Sequence, residues 1–101
     1  MTHSEIEEAK KHVQYSVGNI KLYKNPPKEV QMAAIEKHPH AVRYIAEPDV
    51  QVQLTILLTR PRLVPLLKKM DYQTQMMIVE KFPHLEKHII DMDPRVAMLS
   101  M

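Results

Sequence analysis

The segment NPPKEVQMAAIEKHPHAVRYIA, residues 25–46, decides the fold because its pattern recurs through the chain. Its apolar, proline and glutamine positions reappear 22 residues later in 47–68 and again in 69–90. Residues 91–101 make half of a further unit, and residues 1–24 make a degenerate unit that suits the capping end of a repeat array. We therefore expect one domain of about four and a half units, stacked so that each unit covers its neighbour's apolar face.

Each unit predicts two short helices. In the first full unit, apolar residues at helical spacing indicate an α-helix over 28–38. Pro39 suits the first position of a second helix of about two turns, because a backbone N–H is not needed there. The chain has one glycine and no Asn-Gly or Asp-Gly pair, so tight β-hairpins are disfavoured. The predicted fold class is all-α, a short helical-hairpin repeat array or α-solenoid.

Residues with known capping preferences predict where helices begin and end. Ser4 and Glu7 have the spacing of a capping box at the start of the first helix, and Gly18 suits a left-handed C-cap at its end. Pro65 falls inside the second helix of its unit and removes a hydrogen-bond donor, so we expect an irregularity over 63–66. In the later units the first helix is expected to start at an aspartate N-cap, namely Asp49, Asp71 or Asp93.

The final half-unit is apolar, with little polar surface to close the array. Its apolar residues are Val96, Met98, Leu99 and Met101. Repeat position places Met98 in the core, together with Met32 and Met76. The outer face of this helix is a candidate surface for self-association, and a homodimer through the C-terminal helix is one alternative for the function of the chain.

The pattern N-P-x-x-E-V-Q-h-A-A-h-x-x-x-P-x-A-h-x-Y-I, where h is apolar, resembles a short repeat of bacterial and phage proteins of unknown function. The second and third units lose the asparagine, the paired alanines and the tyrosine. The resemblance implies a miniature HEAT-like solenoid without catalytic residues. Together with the small size of the chain, it implies a phage-encoded inhibitor of a host defence protein. The residues that carry it are Asn25, Pro26, Glu29, Val30, Gln31, Ala33, Ala34, Pro39, Ala41, Tyr44 and Ile45.

Composition limits the other classes of protein. The chain has 101 residues, of which 45% are hydrophobic and 26% charged, as is typical of a folded domain. It contains no cysteine and no apolar run of the ~20 residues that span a bilayer. The acidic opening MTHSEIEEAK is unlike a secretory signal, so a cytoplasmic protein without a membrane partner is predicted. A net charge of +2 is too small to indicate nucleic-acid binding by itself.

No motif predicts an enzyme, a cofactor or a metal site. The three serines are not beside a base in a recognisable motif, and a single glycine leaves no phosphate-binding loop. His84 and His88 are four residues apart, which on an α-helix places two imidazoles on one face. A zinc site would need a further ligand such as His40, so solvated surface histidines are the favoured interpretation.

Three glutamines recur at the repeat period, namely Gln31, Gln53 and Gln75. The favoured interpretation is a structural ladder, in which each amide bonds the backbone where two units meet, because buried polar groups need partners. The alternative is a row of amides that reads a ligand.

Basic residues gather where the first helix of each unit ends and the second begins, whereas acidic residues gather at the unit boundaries. Helix dipoles favour this arrangement without any partner. The functional alternative is a ridge that faces an anionic partner. We expect a protein partner, with a nucleic-acid-binding array as the alternative. The candidate partner-binding residues are Lys37, His40, Arg43, Arg60, Arg62, Lys81, His84 and Lys87.

Overall fold

The computed structural model describes the backbone of residues 1–100 and the side chains of residues 1–99. Within these residues the chain is all helical, with α-helices and 3-10 helices in strict alternation. The predicted all-α helical array is therefore confirmed. The elements are α1 (His3–Tyr15), η1 (Val17–Leu22), α2 (Lys28–Lys37), η2 (Pro39–Tyr44), α3 (Val50–Thr59), η3 (Pro61–Leu66), α4 (Tyr72–Lys81), η4 (Pro83–His88) and α5 (Pro94–Ser100), where η marks a 3-10 helix.

Proline ends each central α-helix and starts the 3-10 helix that follows. A proline ring disfavours the α conformation in the residue before it. The residues before the three prolines are His38, Arg60 and Phe82, with φ near −133°, −140° and −133°, outside the helical range. This rule repeats at the 22-residue period, so α2, α3 and α4 have the same length and η2, η3 and η4 also match.

The first helix differs from its prediction at both ends. It is capped by Thr2, whose hydroxyl accepts from the Glu5 N–H at 3.2 Å, while the Glu5 carboxylate accepts from the Thr2 N–H at 2.9 Å. The predicted Ser4–Glu7 capping box is wrong, because this earlier pair has the same spacing and gives a longer helix. The predicted C-cap at Gly18 is also wrong, since the helix ends at Tyr15 and Gly18 lies within η1.

Left-handed backbone occurs at unit starts instead of at the glycine. Asn25 has φ 50° and Asp91 has φ 49°, and both stand at the first position of a unit. Asparagine and aspartate tolerate this conformation better than other side chains that carry a Cβ. Asp49, Asp71 and Asp93 stand at the N-cap positions of α3, α4 and α5, as expected. The Asp49 carboxylate accepts a hydrogen bond from the Gln51 N–H at 2.9 Å.

Pro65 does not disturb its helix. The helix η3 covers the same six residues of its unit as η2 and η4 do, so the predicted irregularity over 63–66 is wrong. Pro65 and Arg62 are both exposed, so water can bond the carbonyl group that the proline nitrogen leaves without a donor. A 3-10 helix of this length therefore accepts proline at this position.

The core runs the length of the array between the two kinds of helix. Successive α-helices pack on one another, and so do successive 3-10 helices, in an elongated body of 47 × 23 × 17 Å. One repeat position shows the regularity, because Val30, Val52, Thr74 and Val96 are all fully buried. None of the helices formed by residues 1–100 is long and apolar enough to cross a membrane.

The helix α5 differs from its prediction in the placement of Met98. Val96 is buried, but Met98 is 79% exposed, so the placement of Met98 in the core is wrong. In earlier units the equivalent positions, Met32 and Met76, are half-buried, whereas in the described residues no further unit follows α5. Met101 lies outside the described residues.

Candidate partner-binding groove

The three periodic glutamines form the predicted ladder. The Gln53 amide nitrogen donates to the Pro48 carbonyl at 2.8 Å, and its oxygen accepts from the Asp71 N–H at 2.7 Å and the Thr74 hydroxyl at 2.7 Å. Gln31 and Gln75 repeat this arrangement, accepting at 2.8 Å from the N–H groups of Asp49 and Asp93. The structural interpretation is confirmed, since each buried amide bonds the backbone of the next unit.

The first unit is joined to the second by different side chains. Ala9 stands at the ladder position of the first unit and has no amide to offer. Instead, the Gln14 side chain donates to the Ala33 carbonyl at 3.0 Å, and His38 Nε2 donates to the Gln14 carbonyl at 2.9 Å. His38 therefore belongs to this connection between units.

The outer sides of the 3-10 helices carry several of the predicted basic residues. In a 3-10 helix, residues three apart lie one above the other. This places His40 over Arg43 and His84 over Lys87, and all four side chains are exposed. His84 and His88 are four apart and do not share a face of η4, contrary to the spacing argument for an α-helix. No group of three metal-binding side chains is found among the described residues.

The other predicted basic residues lie elsewhere on the surface. Lys37 and Lys81 occupy the last turns of α2 and α4, where the helix dipole favours them. Arg60 lines a groove of about 310 Å³ between the ends of α2 and α3, and Arg62 is exposed at the start of η3. The structure thus distributes the eight predicted residues over several surfaces, all of them exposed.

Two neighbouring depressions lie along the stacked 3-10 helices, and together we call them the 3-10 groove. Its first part, of about 440 Å³, lies between η1 and η2, and its second part, of about 650 Å³, extends over η3 to Ile90. Tyr44 lines both parts. Side chains that define the groove are the floor residues Leu22, Tyr44 and Leu66, with Pro65 and Ile90, and the basic residues Lys21, Lys24, Arg43 and Lys68.

Among the described residues, the basic side chains of the 3-10 groove have no ion-pair partner. The ion pairs in the described part of the chain are Lys10–Glu7, Lys69–Asp71 and Arg95–Asp93, outside the groove. One carboxylate, that of Glu47, also lines the first part. The groove is therefore apolar along its floor and carries an excess of uncompensated positive charge.

Two of these cations lie over the Tyr44 ring. Lys21 Nζ lies 4.7 Å from the centre of the Tyr44 ring, and the Arg43 guanidinium carbon lies 5.4 Å from it. Both distances are within the ~6 Å range of a cation–π interaction. Because Lys21 belongs to the first unit and Arg43 to the second, positively charged groups from two units lie close together at this ring.

Of the eight predicted residues, only Arg43 lines the 3-10 groove. Lys21, Lys24 and Lys68 were missed, and so was the apolar floor. A signal was present, because Lys21 precedes Arg43 by one repeat period, and Leu22, Tyr44 and Leu66 share a repeat position. Lys21 lies in the degenerate first unit, where the repeat pattern is weakest.

A second charged cluster joins α4 to α5. The Arg95 guanidinium lies 3.8 Å from the centre of the Tyr72 ring and donates to both carboxylate oxygens of Asp93, at 3.0 and 2.8 Å. The hydrogen bonds from the Arg95 side chain lower the pKa of the Asp93 carboxyl to about 2. Because Arg95 and Asp93 neutralise each other, this cluster has less net charge with which to bind a partner than the 3-10 groove has.

No protein-family model, curated protein or solved structure matches the chain.

Proposed function

We propose that the chain is a non-enzymatic protein-interaction module that binds its partner through the 3-10 groove. The observation that supports this proposal is the combination of an apolar floor with basic side chains that have no ion-pair partner within the described part of the chain. Repeat arrays present extended surfaces of this kind, because their cores fix the fold while surface residues remain free to vary.

The apolar floor favours a protein partner over nucleic acid. Phosphate contacts need positive charge but no continuous apolar surface. Binding of single-stranded nucleic acid also uses several aromatic side chains for base stacking, whereas two rings, those of Tyr23 and Tyr44, line the groove, and Tyr23 is already hydrogen-bonded to His12. Leu22, which is 73% exposed, and Leu66 instead match apolar side chains of a protein.

The proposed module acts by occupying a surface of its partner, which for an enzyme partner means inhibition. The resemblance to repeats in phage proteins supports a further proposal, that the partner is a host defence protein. This part depends on the resemblance alone and is tested by identifying the partner.

Affinity capture with matched variants tests the proposed function. The tagged protein is incubated with a lysate of cells that naturally produce it, and a captured protein is identified, purified and titrated against each variant. Lys68→Glu changes an exposed groove residue, and Lys11→Glu makes the same change in charge on α1, away from the groove. We expect Lys68→Glu to weaken binding by about tenfold and Lys11→Glu to leave it unchanged.

Equal effects of the two variants would contradict the proposed site. Capture of RNA or DNA with a steep salt dependence, in place of a protein, would support the nucleic-acid alternative.

Self-association through α5 is a second candidate function, which the exposure of Met98 and Leu99 favours. These side chains are 79% and 58% exposed on one short helix. Light scattering of the full chain and of Leu99→Glu tests it. A dimer that becomes a monomer in Leu99→Glu would support this candidate, and a monomeric parent chain would exclude it.

A further inference from the structure

We propose that the segment bound in the 3-10 groove is an acidic amphipathic α-helix that lies along the array. This inference rests on the proposed function, because it names the kind of protein segment that the same groove takes. It follows from the spacing of the floor residues, from the number of rows of side chains, and from the charge of the groove.

The spacing of the floor matches an α-helix. Leu22, Tyr44 and Leu66 occupy one repeat position in three successive units, and η1, η2 and η3 pack on one another. The axes of packed helices lie about 8–10 Å apart, so we expect a similar separation between successive floor residues. Seven residues of an α-helix advance about 10.5 Å. Apolar side chains at i, i+7 and i+14 of one helix can therefore meet all three floor residues.

The groove offers more than one row of side chains to a ligand. Besides the floor row, basic side chains come from the position before the floor, as in Lys21 and Arg43, and from two positions after it, as in Lys24 and Lys68. A β-strand turns alternate side chains to the same face and so presents a single row. An amphipathic helix presents an apolar stripe with polar residues beside it, which matches the floor and its basic neighbours.

Charge complementarity makes the helix acidic. Four basic side chains of the groove have no ion pair among the described residues, and Glu47 is the carboxylate that lines it with them. Carboxylates beside the apolar stripe of the bound helix would face Lys21, Arg43 and Lys68. A helix of about 20 residues is about 30 Å long, which is shorter than the 47 Å long dimension of the array.

Synthetic peptides test this inference directly. The probe is a fluorescent peptide of about 20 residues with leucines at i, i+7 and i+14 and glutamates beside them. One control has the same composition in scrambled order, and another has a proline at its centre, which breaks the helix. We expect the probe to bind the full chain at ~0.1 M salt, and both controls to bind at least about tenfold more weakly, as measured by fluorescence anisotropy.

Variants of the chain establish where the probe binds. Leu22→Ser removes a largely exposed floor residue, Lys68→Glu reverses a groove charge, and Lys11→Glu is the control outside the groove. The first two substitutions are expected to lower the affinity for the probe by about fivefold to tenfold, and Lys11→Glu to lower it by less than about twofold. Circular dichroism confirms that each variant keeps the helical content of the parent chain.

Three results would overturn the inference: a proline-containing peptide that binds as tightly as the probe, equal losses for Lys68→Glu and Lys11→Glu, or no binding of the probe. The proposed function can survive each of them. Suppose that the acidic helical probe does not bind, but that a captured partner binds the parent chain and not Lys68→Glu. The groove would then remain the binding site, and an acidic helix would be excluded as its ligand.

Discussion

Gln53 bonds three groups with one buried side chain and shows what holds successive units together. Its period was visible in the sequence, and the need of a buried amide for partners predicted a ladder. The identity of the partners was not visible, because the Asp71 N–H lies 18 residues further along the chain and meets the amide only when the units stack.

Removal of the Gln53 amide should be costly. Gln53→Ala leaves the Pro48 carbonyl, the Asp71 N–H and the Thr74 hydroxyl without this partner in a buried site. Each unsatisfied buried group costs about 1–3 kcal/mol, so we expect a loss of about 3 kcal/mol in the free energy of unfolding. Urea denaturation measures it, with the exposed Gln51→Ala as control. A loss below about 1 kcal/mol would show that the ladder contributes little.

The charge of Asp93 should depend on Arg95. The Arg95 side chain lowers the pKa of this carboxyl to about 2, so the associated stabilisation is present above the ordinary pKa of ~3.9 and is lost as the pH falls through about 2. Arg95→Met should raise the pKa of Asp93 toward the ordinary value, as measured by NMR titration. Arg60→Met, which alters a distant arginine, should leave it unchanged, and an unaltered pKa in Arg95→Met would contradict the assignment.

At the scale of elements, the prolines explain the division of each unit into an α-helix and a 3-10 helix. The sequence predicted both helices of a unit, the first over 28–38, close to the observed Lys28–Lys37, and the second starting at Pro39. It did not predict that the second helix is 3-10, because the short hydrophobic pattern fits either kind. That difference explains the error at His84 with His88, since residues three apart rather than four share a face.

The equivalence of the 3-10 helices predicts where proline is accepted. Arg43 has the repeat position of Pro65, so Arg43→Pro should change the free energy of unfolding by less than about 1 kcal/mol. Ala41 is buried, and its N–H donates to the His38 carbonyl at 2.8 Å, so Ala41→Pro should cost about 3 kcal/mol or more. Thermal and urea denaturation compare the two. Similar losses would mean that η2 and η3 are not equivalent.

At the scale of the whole molecule, the repeat period predicted the array but not the 3-10 groove. The groove combines residues from different repeat positions and from several units, including the degenerate first one. The positions of the basic residues in the sequence instead predicted a ridge. The structure distributes the residues of that ridge over several surfaces, and Arg43 is the one that lines the groove. Side chains that are distant in sequence share a surface only after the units have stacked.

Site-specific photo-crosslinking tests most directly whether the 3-10 groove is the binding surface. A photoreactive amino acid replaces Ile90, which is 40% exposed in the groove, or Leu58, which is 58% exposed on α3 outside it. The two variants are irradiated in a lysate of cells that naturally produce the chain, and adducts are identified by mass spectrometry. We predict a specific protein adduct from position 90 and none from position 58, with the crosslinked peptide acidic and amphipathic. An adduct with the same protein from position 58 alone, or equally from both positions, would contradict the account.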